Sequence, residues 1–186
     1  MKQTGNFLFV IHWHKATQLH FDFRLQIGDV MPSWSIPKGP TLDPKQRRLA
    51  MPTTDHDLEY RNFEGIITEG YGAGTIMIWD EGTYNPEKEI AKGVREELFD
   101  KKEGETVLRE GLKKGEIKFR LYGKKLQGSF ALVKTKGFGG KKEMWLLIKH
   151  KDEHVIENYD AKESDSSVRT KRSMEEITND PKSAKL

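Results

Sequence analysis

Cysteine is absent from the 186 residues, which excludes disulfides, thiolate metal sites and cysteine nucleophiles together. Long apolar runs are missing too. None approaches the ~20 residues that a membrane-spanning helix needs. The short run near the start, within MKQTGNFLFVIHWHK, is interrupted by histidines and followed by no small-residue cleavage site, so no signal peptide is expected. The glycines of residues 64–74 lack the lysine and hydroxyl of a G-x-x-x-x-G-K-[ST] loop and read instead as a strand corner. No internal repeat is present. Charge of one sign is also scarce: the formal net charge is only +3. Residues 1–150 hold 25 Lys/Arg against 20 Asp/Glu, and residues 151–186 hold seven against nine. A mildly basic body with a mildly acidic end permits a phosphate-bearing partner without demanding one.

What is present fits a soluble, cytoplasmic, polar globular protein, 35% hydrophobic and 33% charged, long enough to fill a core without staples. Short runs rich in Val, Ile, Phe, Trp and Tyr recur at 7–13, 19–27, 33–36, 74–79, 116–121, 128–134 and 144–149. Turn signals fall between them at Gly28-Asp29, Pro37-Lys38-Gly39-Pro40, Glu81-Gly82, Tyr122-Gly123 and Phe138-Gly139-Gly140. This pattern predicts a mainly β protein, an antiparallel sheet or barrel with peripheral helices. Helices are expected over 87–98, where Ile90, Val94 and Leu98 recur every four residues, and over 105–114. Residues 1–152 form the expected domain. Residues 153–186 lose apolar periodicity and read as a charged, flexible tail. Trp13, Trp34, Trp79 and Trp145 are assigned to the core.

The chemistry concentrates in His14-Lys-Ala-Thr-Gln-Leu-His20-Phe-Asp22-Phe-Arg24-Leu25. On a strand, His20, Asp22 and Arg24 share one face while Phe21, Phe23 and Leu25 share the other. Three ionisable groups backed by an apolar face are costly unless they bind something, and a polar, partly wet barrel interior would make that face a site. Two imidazoles and a carboxylate form an open ligand set for a borderline divalent metal such as manganese, iron or zinc, and Arg24 can clamp a phosphate. An isolated H-x-D is more often a plain hydrogen-bonded pair, but the nearby histidine and arginine favour the ligand reading. His12 shares strand parity with His14, so geometry alone leaves the choice between them open. Further along, Lys38 sits on a proline-stiffened loop and Arg48 offers a second cation, while Lys45 and Arg47 read as solvated. His56, between Asp55 and Asp57, is expected to favour its cationic form.

These residues resemble a known family. The run H-K-A-T-Q-L-H-F-D-F-R-L, then S-W-S-I-P-K-G-P-T-L-D-P, D-H-D-L-E-Y, F-E-G, Y-G-A-G-T, G-S-F-A-L-V-K and W-L-L-I-K is similar to the 3′-phosphoesterase domain of bacterial DNA ligase D, over roughly residues 5–152. The resemblance implies a closed β-barrel with Mn²⁺-dependent activity on DNA 3′ ends in break repair. The family removes a terminal ribonucleoside and then the remaining 3′-phosphate, leaving a hydroxyl. By the resemblance the metal ligands are His14, His20 and Asp22, the phosphate contacts are Arg24, Lys38, Arg48 and His56, and Tyr60 is an accessory active-site residue. Thr54 stands where the family often has glutamate, which implies a weaker ribonucleoside-removing step, and the Glu69-Gly70-Tyr71-Gly72 loop is one residue shorter. Without a polymerase or ligase signature, the chain is expected to act as a stand-alone monomer on DNA or DNA/RNA primer-template ends, meeting a repair polymerase and ligase in trans.

Two other classes use the same residues. H-x-D with a distant third histidine, His150 or His154, is how a non-haem iron oxygenase builds a facial triad, with Arg24 holding an organic acid. A non-catalytic barrel would bind DNA ends through basic and aromatic residues alone.

Overall fold

The structure, a computed structural model, describes residues 5–136 and 143–186. Its strands are β1 (Phe7–Lys15), β2 (Leu19–Leu25), β3 (Val30–Ile36), β4 (Arg48–Asp57), β5 (Gly65–Ile67), β6 (Gly74–Ala91), β7 (Val94–Glu97), β8 (Glu116–Gly123), β9 (Gln127–Thr135), β10 (Met144–Lys149) and β11 (Ala184–Lys185). The helices are α1 (Lys101–Lys114) and α2 (Met174–Asn179). The order β1-β2-β3-β4-β10-β9-β8-β6 closes through a β6–β1 pairing into an antiparallel barrel, as expected, with β7, β5 and β11 attached through β6.

Alternation fills the barrel. Phe9, Ile11 and Trp13 of β1 and Phe21, Phe23 and Leu25 of β2 point inward and join Trp34, Trp79, Phe119, Phe130 and Trp145 in one buried cluster. All four tryptophans are therefore core. The interior is packed with aromatic and aliphatic side chains, so the polar face of β1 and β2 is the outer one. The condition of a polar, partly wet interior is not met, and the site faces outward instead: these two strands carry side chains on both faces that must be covered, inward by the core and outward by loops.

Two bulges re-aim side chains. Between Ile11 and His12 the β1–β6 register shifts from Asp80 to Ile78, which turns both Trp79 and Asp80 toward the buried side. Between Met31 and Ser33 the β3–β4 register shifts, from His56 to Thr53. The extra residue in β4 brings His56 onto the same outer face as Thr53, where strict alternation would have turned it inward.

The helix expected over 87–98 is not formed. β6 runs on to Ala91, and Val94–Glu97 returns antiparallel to it as β7. Gly93, at φ 74, closes the turn, and Ile90 and Val94 are exposed, so their spacing of four served no buried face. The second helix forms and begins earlier than expected, capped by Asp100 and ended by Gly115 in the left-handed conformation. Glu81-Gly82 is no turn: it lies inside β6, where a side chain at Gly82 would run into the Tyr122 carbonyl of β8. The expected Phe138-Gly139-Gly140 turn lies outside the described residues.

Residues 153–186 are not loosely attached, which corrects the tail expectation. Ala161, Val168, Met174 and Ile177 are buried, α2 carries a Ser173/Glu176 capping box, and β11 pairs in parallel with β5. Arg169 makes a two-pronged ion pair with Glu81, and Arg172 bridges Glu64 and Asp180. The anchors come singly between polar residues, so they leave no periodic signal. No helix of the described residues is long and apolar enough to cross a membrane.

Candidate metal and phosphate site

On the outer face of the β1–β2 hairpin, His14 stands opposite His20, His12 opposite Asp22 and Val10 opposite Arg24. Directly opposed side chains lie within roughly 5 Å at their Cβ atoms, so the register alone gathers three imidazoles, a carboxylate and a guanidinium. Each is buried or nearly so, with Arg24 only 2% exposed and His14 and Asp22 6%. The cover comes from the loop bearing Gly72, from the 3₁₀ turn Leu58–Asn62 that carries Tyr60, and from Val168, which packs with Val10, Met31 and Ile78.

Hydrogen bonds to main-chain carbonyls set the rings of His14 and His20. His14 Nε2 lies 2.7 Å from the Gly72 carbonyl and His20 Nδ1 lies 3.0 Å from the Gln18 carbonyl. A carbonyl only accepts, so those nitrogens carry the protons and the lone pairs sit on His14 Nδ1 and His20 Nε2. Both lone pairs face Asp22, at 3.7 and 3.4 Å from its oxygens, longer than the ~2.7–2.9 Å of a charge-assisted hydrogen bond. One ligand atom from each of His14, His20 and Asp22 lies within 4.8 Å of the others. Three converging lone pairs repel unless a proton or a cation stands among them, and the two-imidazole, one-carboxylate set fits a divalent transition metal with open positions. Burial pushes the Asp22 carboxyl up, but His14, His20 and Arg24 outweigh it and hold it well below the usual carboxylate range. The neighbouring Asp22 carboxylate, against the opposing effect of burial, raises His20.

Arg24 is the hub of the remaining residues. Its Nε donates to His12 Nδ1 at 3.1 Å and its Nη2 to Asp22 at 3.1 Å, and Nη1 lies 3.1 Å from His56 Nδ1. His56 Nδ1 carries its proton toward the Thr54 carbonyl at 2.9 Å and takes none from Arg24, so two of the five N–H groups of Arg24 are engaged, by His12 and Asp22, and three remain for an anion. The guanidinium lies over the Tyr60 ring, 5.1 Å from its centroid, and Tyr60 also meets His56 and the edge of His12 at 4.8 and 5.4 Å. His12 is fully buried, and burial followed by Arg24 drives its pKa well down. It is therefore neutral and serves to orient Arg24, a role the shared parity with His14 hinted at but the sequence could not separate from metal binding. His56 departs from expectation: burial and Arg24 lower its pKa, outweighing Asp55, because the bulge carries the ring toward the guanidinium and away from its sequence neighbours. Burial raises Tyr60.

The other expected contacts are elsewhere. Lys38 is exposed at the corner of a turn closed by Gly39 N–H to the Ile36 carbonyl. Arg48 opens β4 beside Leu147 and donates to Gln46 at 3.1 Å. No hydrogen bond or ion pair among the described residues joins either to the cluster. His150 and His154 are likewise not in the metal-ligating group, which removes the third ligand proposed for the oxygenase reading.

The profile of the DNA Ligase D 3′-phosphoesterase domain matches residues 12–134, which hold the whole cluster. The chain belongs to that family. It is 39% identical over 175 residues to the multifunctional non-homologous end joining protein LigD of Pseudomonas aeruginosa, covering 92% of this chain and 19% of that one. It is 37% identical over 153 residues to the non-homologous end joining DNA repair protein LigD of Mycobacterium tuberculosis, covering 80% and 17%, and 39% identical over 153 residues to LigD of Mycolicibacterium smegmatis, covering 82% and 18%. The chain thus spans less than a fifth of the length of these relatives. The Pseudomonas match reaches beyond what residues 1–152 could supply, so the similarity to that protein extends into the C-terminal segment.

Proposed function

We propose that this phosphoesterase-domain protein hydrolyses phosphate esters at DNA 3′ ends, releasing a 3′-phosphate or a terminal ribonucleoside to leave a 3′-hydroxyl during end joining. The observation that carries the reading is the pairing, on one buried face, of a three-ligand metal set with an arginine that has donors to spare.

His14, His20 and Asp22 are the residues that would hold the ion, with manganese the proposed one. When bound it supplies Lewis-acid polarisation of a phosphoryl oxygen and a more acidic water. Arg24 donates its unspent N–H groups to the phosphoryl oxygens and offsets the charge that builds on them. His12, which accepts from Nε, and Tyr60, whose ring lies against the guanidinium, hold it in place, so it need not reorganise during the reaction. His56 Nδ1 donates to the Thr54 carbonyl at 2.9 Å, so Nε2 of the neutral ring is an acceptor, and the ring donates from Nε2 to the leaving oxygen in its protonated form as the P–O bond breaks. Water adds to phosphorus, its proton is lost to solvent or a neighbouring base, and the leaving alkoxide is protonated as the ester departs. Lys38 and Arg48 are proposed as outer contacts that a bound strand would recruit, and a polymerase and ligase acting in trans would use the hydroxyl.

The test is a 5′-labelled primer-template ending in a 3′-phosphate or a single ribonucleotide, incubated with a series of divalent metals and resolved on a gel. We expect conversion to the 3′-hydroxyl with manganese and none with chelator. End binding that survives chelation with no product would instead support a non-catalytic barrel.

A further inference from the structure

An open cleft of about 560 Å³ borders the site at His56 and Tyr60, with none of His14, His20 and Asp22 in its lining. Its volume is in the range of small-molecule pockets. Resting on the proposed reading of the site, we infer that this cleft receives the base of the 3′-terminal ribonucleoside, the group that departs on the His56 side.

The cleft shares His56 and Tyr60 with the site and adds Phe63, Asp57, Asn62 and Leu186. Tyr60 and Phe63 are stacked, with centroids 5.9 Å apart and planes 14° from parallel, so they line it with aromatic surface against which any base can stack. Asp57 precedes the 3₁₀ turn but its side chain makes no capping bond, which leaves a carboxylate able to accept from a base amino group. Asp55 and Glu59 also border the cleft. Carboxylates there repel a phosphate, so of the parts of a nucleic acid only the uncharged nucleoside is admitted. The far wall is fixed by the C-terminal segment: Leu186 donates its N–H to the Ile66 carbonyl, and its own carbonyl accepts from Thr68. The Leu186 side chain is free of that pairing and 62% exposed, as expected of a wall that meets a ligand.

The experiment compares two primer ends, one with a terminal ribonucleoside and one with a base-lacking 1,4-anhydroribitol, in wild type, Phe63→Ala and Leu186→Ala. Stacking of one base corresponds to about tenfold in kcat/KM, so wild type should prefer the base-bearing end by about that factor. Each variant should lose most of the preference while cleaving the base-lacking end at its former rate. The preference is a ratio within one preparation, so partial unfolding does not alter it. Equal rates on the two ends in wild type, or an unchanged ratio in both variants, overturns the inference. Binding of a strand ending in 2-aminopurine ribonucleoside reads the cleft without cleavage. Its fluorescence should be quenched by wild type and less so by Phe63→Ala. Quenching without any product would mean the hydrolytic reading had failed and the cleft had not, whereas product without quenching overturns the cleft alone.

Discussion

The two faces of the β1–β2 hairpin are made by the same sixteen or so alternating positions, yet they obey different rules. Inward, Phe9, Ile11, Trp13, Phe21 and Phe23 find their partners within the protein, as in the Trp13–Phe21 stack at 5.1 Å and the Phe9–Phe23 edge contact at 6.3 Å. Outward, His14 and Asp22 are buried and His20 half-buried, but they stop short of good contact with one another. The same contrast separates two buried carboxylates. Asp80 receives the N–H groups of Lys124, Lys125 and Leu126 at 2.8–3.0 Å and pins the β8–β9 turn, whereas Asp22 has one close donor, Arg24 Nη2 at 3.1 Å, and otherwise faces the lone pairs of His14 and His20. A buried polar group whose partners are complete is holding the fold, and one whose partners converge but do not close is holding a place for something else.

The sharpest way to separate the faces is Asp22→Asn, which should lower 3′-phosphate release by roughly 10³-fold or more while leaving the melting temperature at or above that of wild type. A loss of activity that tracked a loss of folding would erase the distinction. Phe23→Ala on the opposite face should do the reverse, costing ~3–5 kcal/mol in chemical denaturation with nearly normal turnover per folded molecule in the cold. Between the extremes, His12→Phe removes the acceptor that orients Arg24. It should cost ~1.5–3 kcal/mol of transition-state binding, a fall of about 10- to 100-fold in kcat/KM, with metal affinity unchanged by titration. Equal weakening of metal binding would place His12 among the ligands.

The smallest effect concerns Asp80. Burial, against its main-chain donors, pushes its carboxyl up to about 6, above the ~3.9 of an unfolded chain. The folded state then binds the proton more tightly, so this contribution to stability is full below about pH 3.9 and is lost as pH rises through about 6. Asp80→Asn should flatten that slope by roughly 2 kcal/mol across the window, measured as the difference between variant and wild-type denaturation at pH 4 and pH 7. A slope that persisted in the variant would assign it to another group.

Much of this was legible in the chain because alternation in 7–13 and 19–27 is strict, and strict alternation fixes which residues share a face. His20, Asp22 and Arg24 could be grouped from parity alone. What parity could not say is which face turns outward, since that depends on six other strands closing behind Phe21 and Phe23. The position of His56 was hidden by the β4 bulge, which adds one residue and so reverses the face; with it went the expected charge, because Arg24 replaced Asp55 and Asp57 as the nearest influence. The hairpin at 87–97 mimicked a helix through Ile90 and Val94, whose apolar side chains are exposed. The C-terminal segment concealed its anchoring because Val168, Met174 and Ile177 are each isolated among polar neighbours, and only the barrel they dock on reveals them.

The central claim is that His14, His20 and Asp22 together make one site for a divalent cation. Manganese titration followed by electron paramagnetic resonance tests it most directly, in wild type and in His14→Ala, His20→Ala and Asp22→Asn. The account predicts one tightly bound ion per wild-type chain and its loss from each folded variant. Undiminished binding of that ion by all three variants would contradict it.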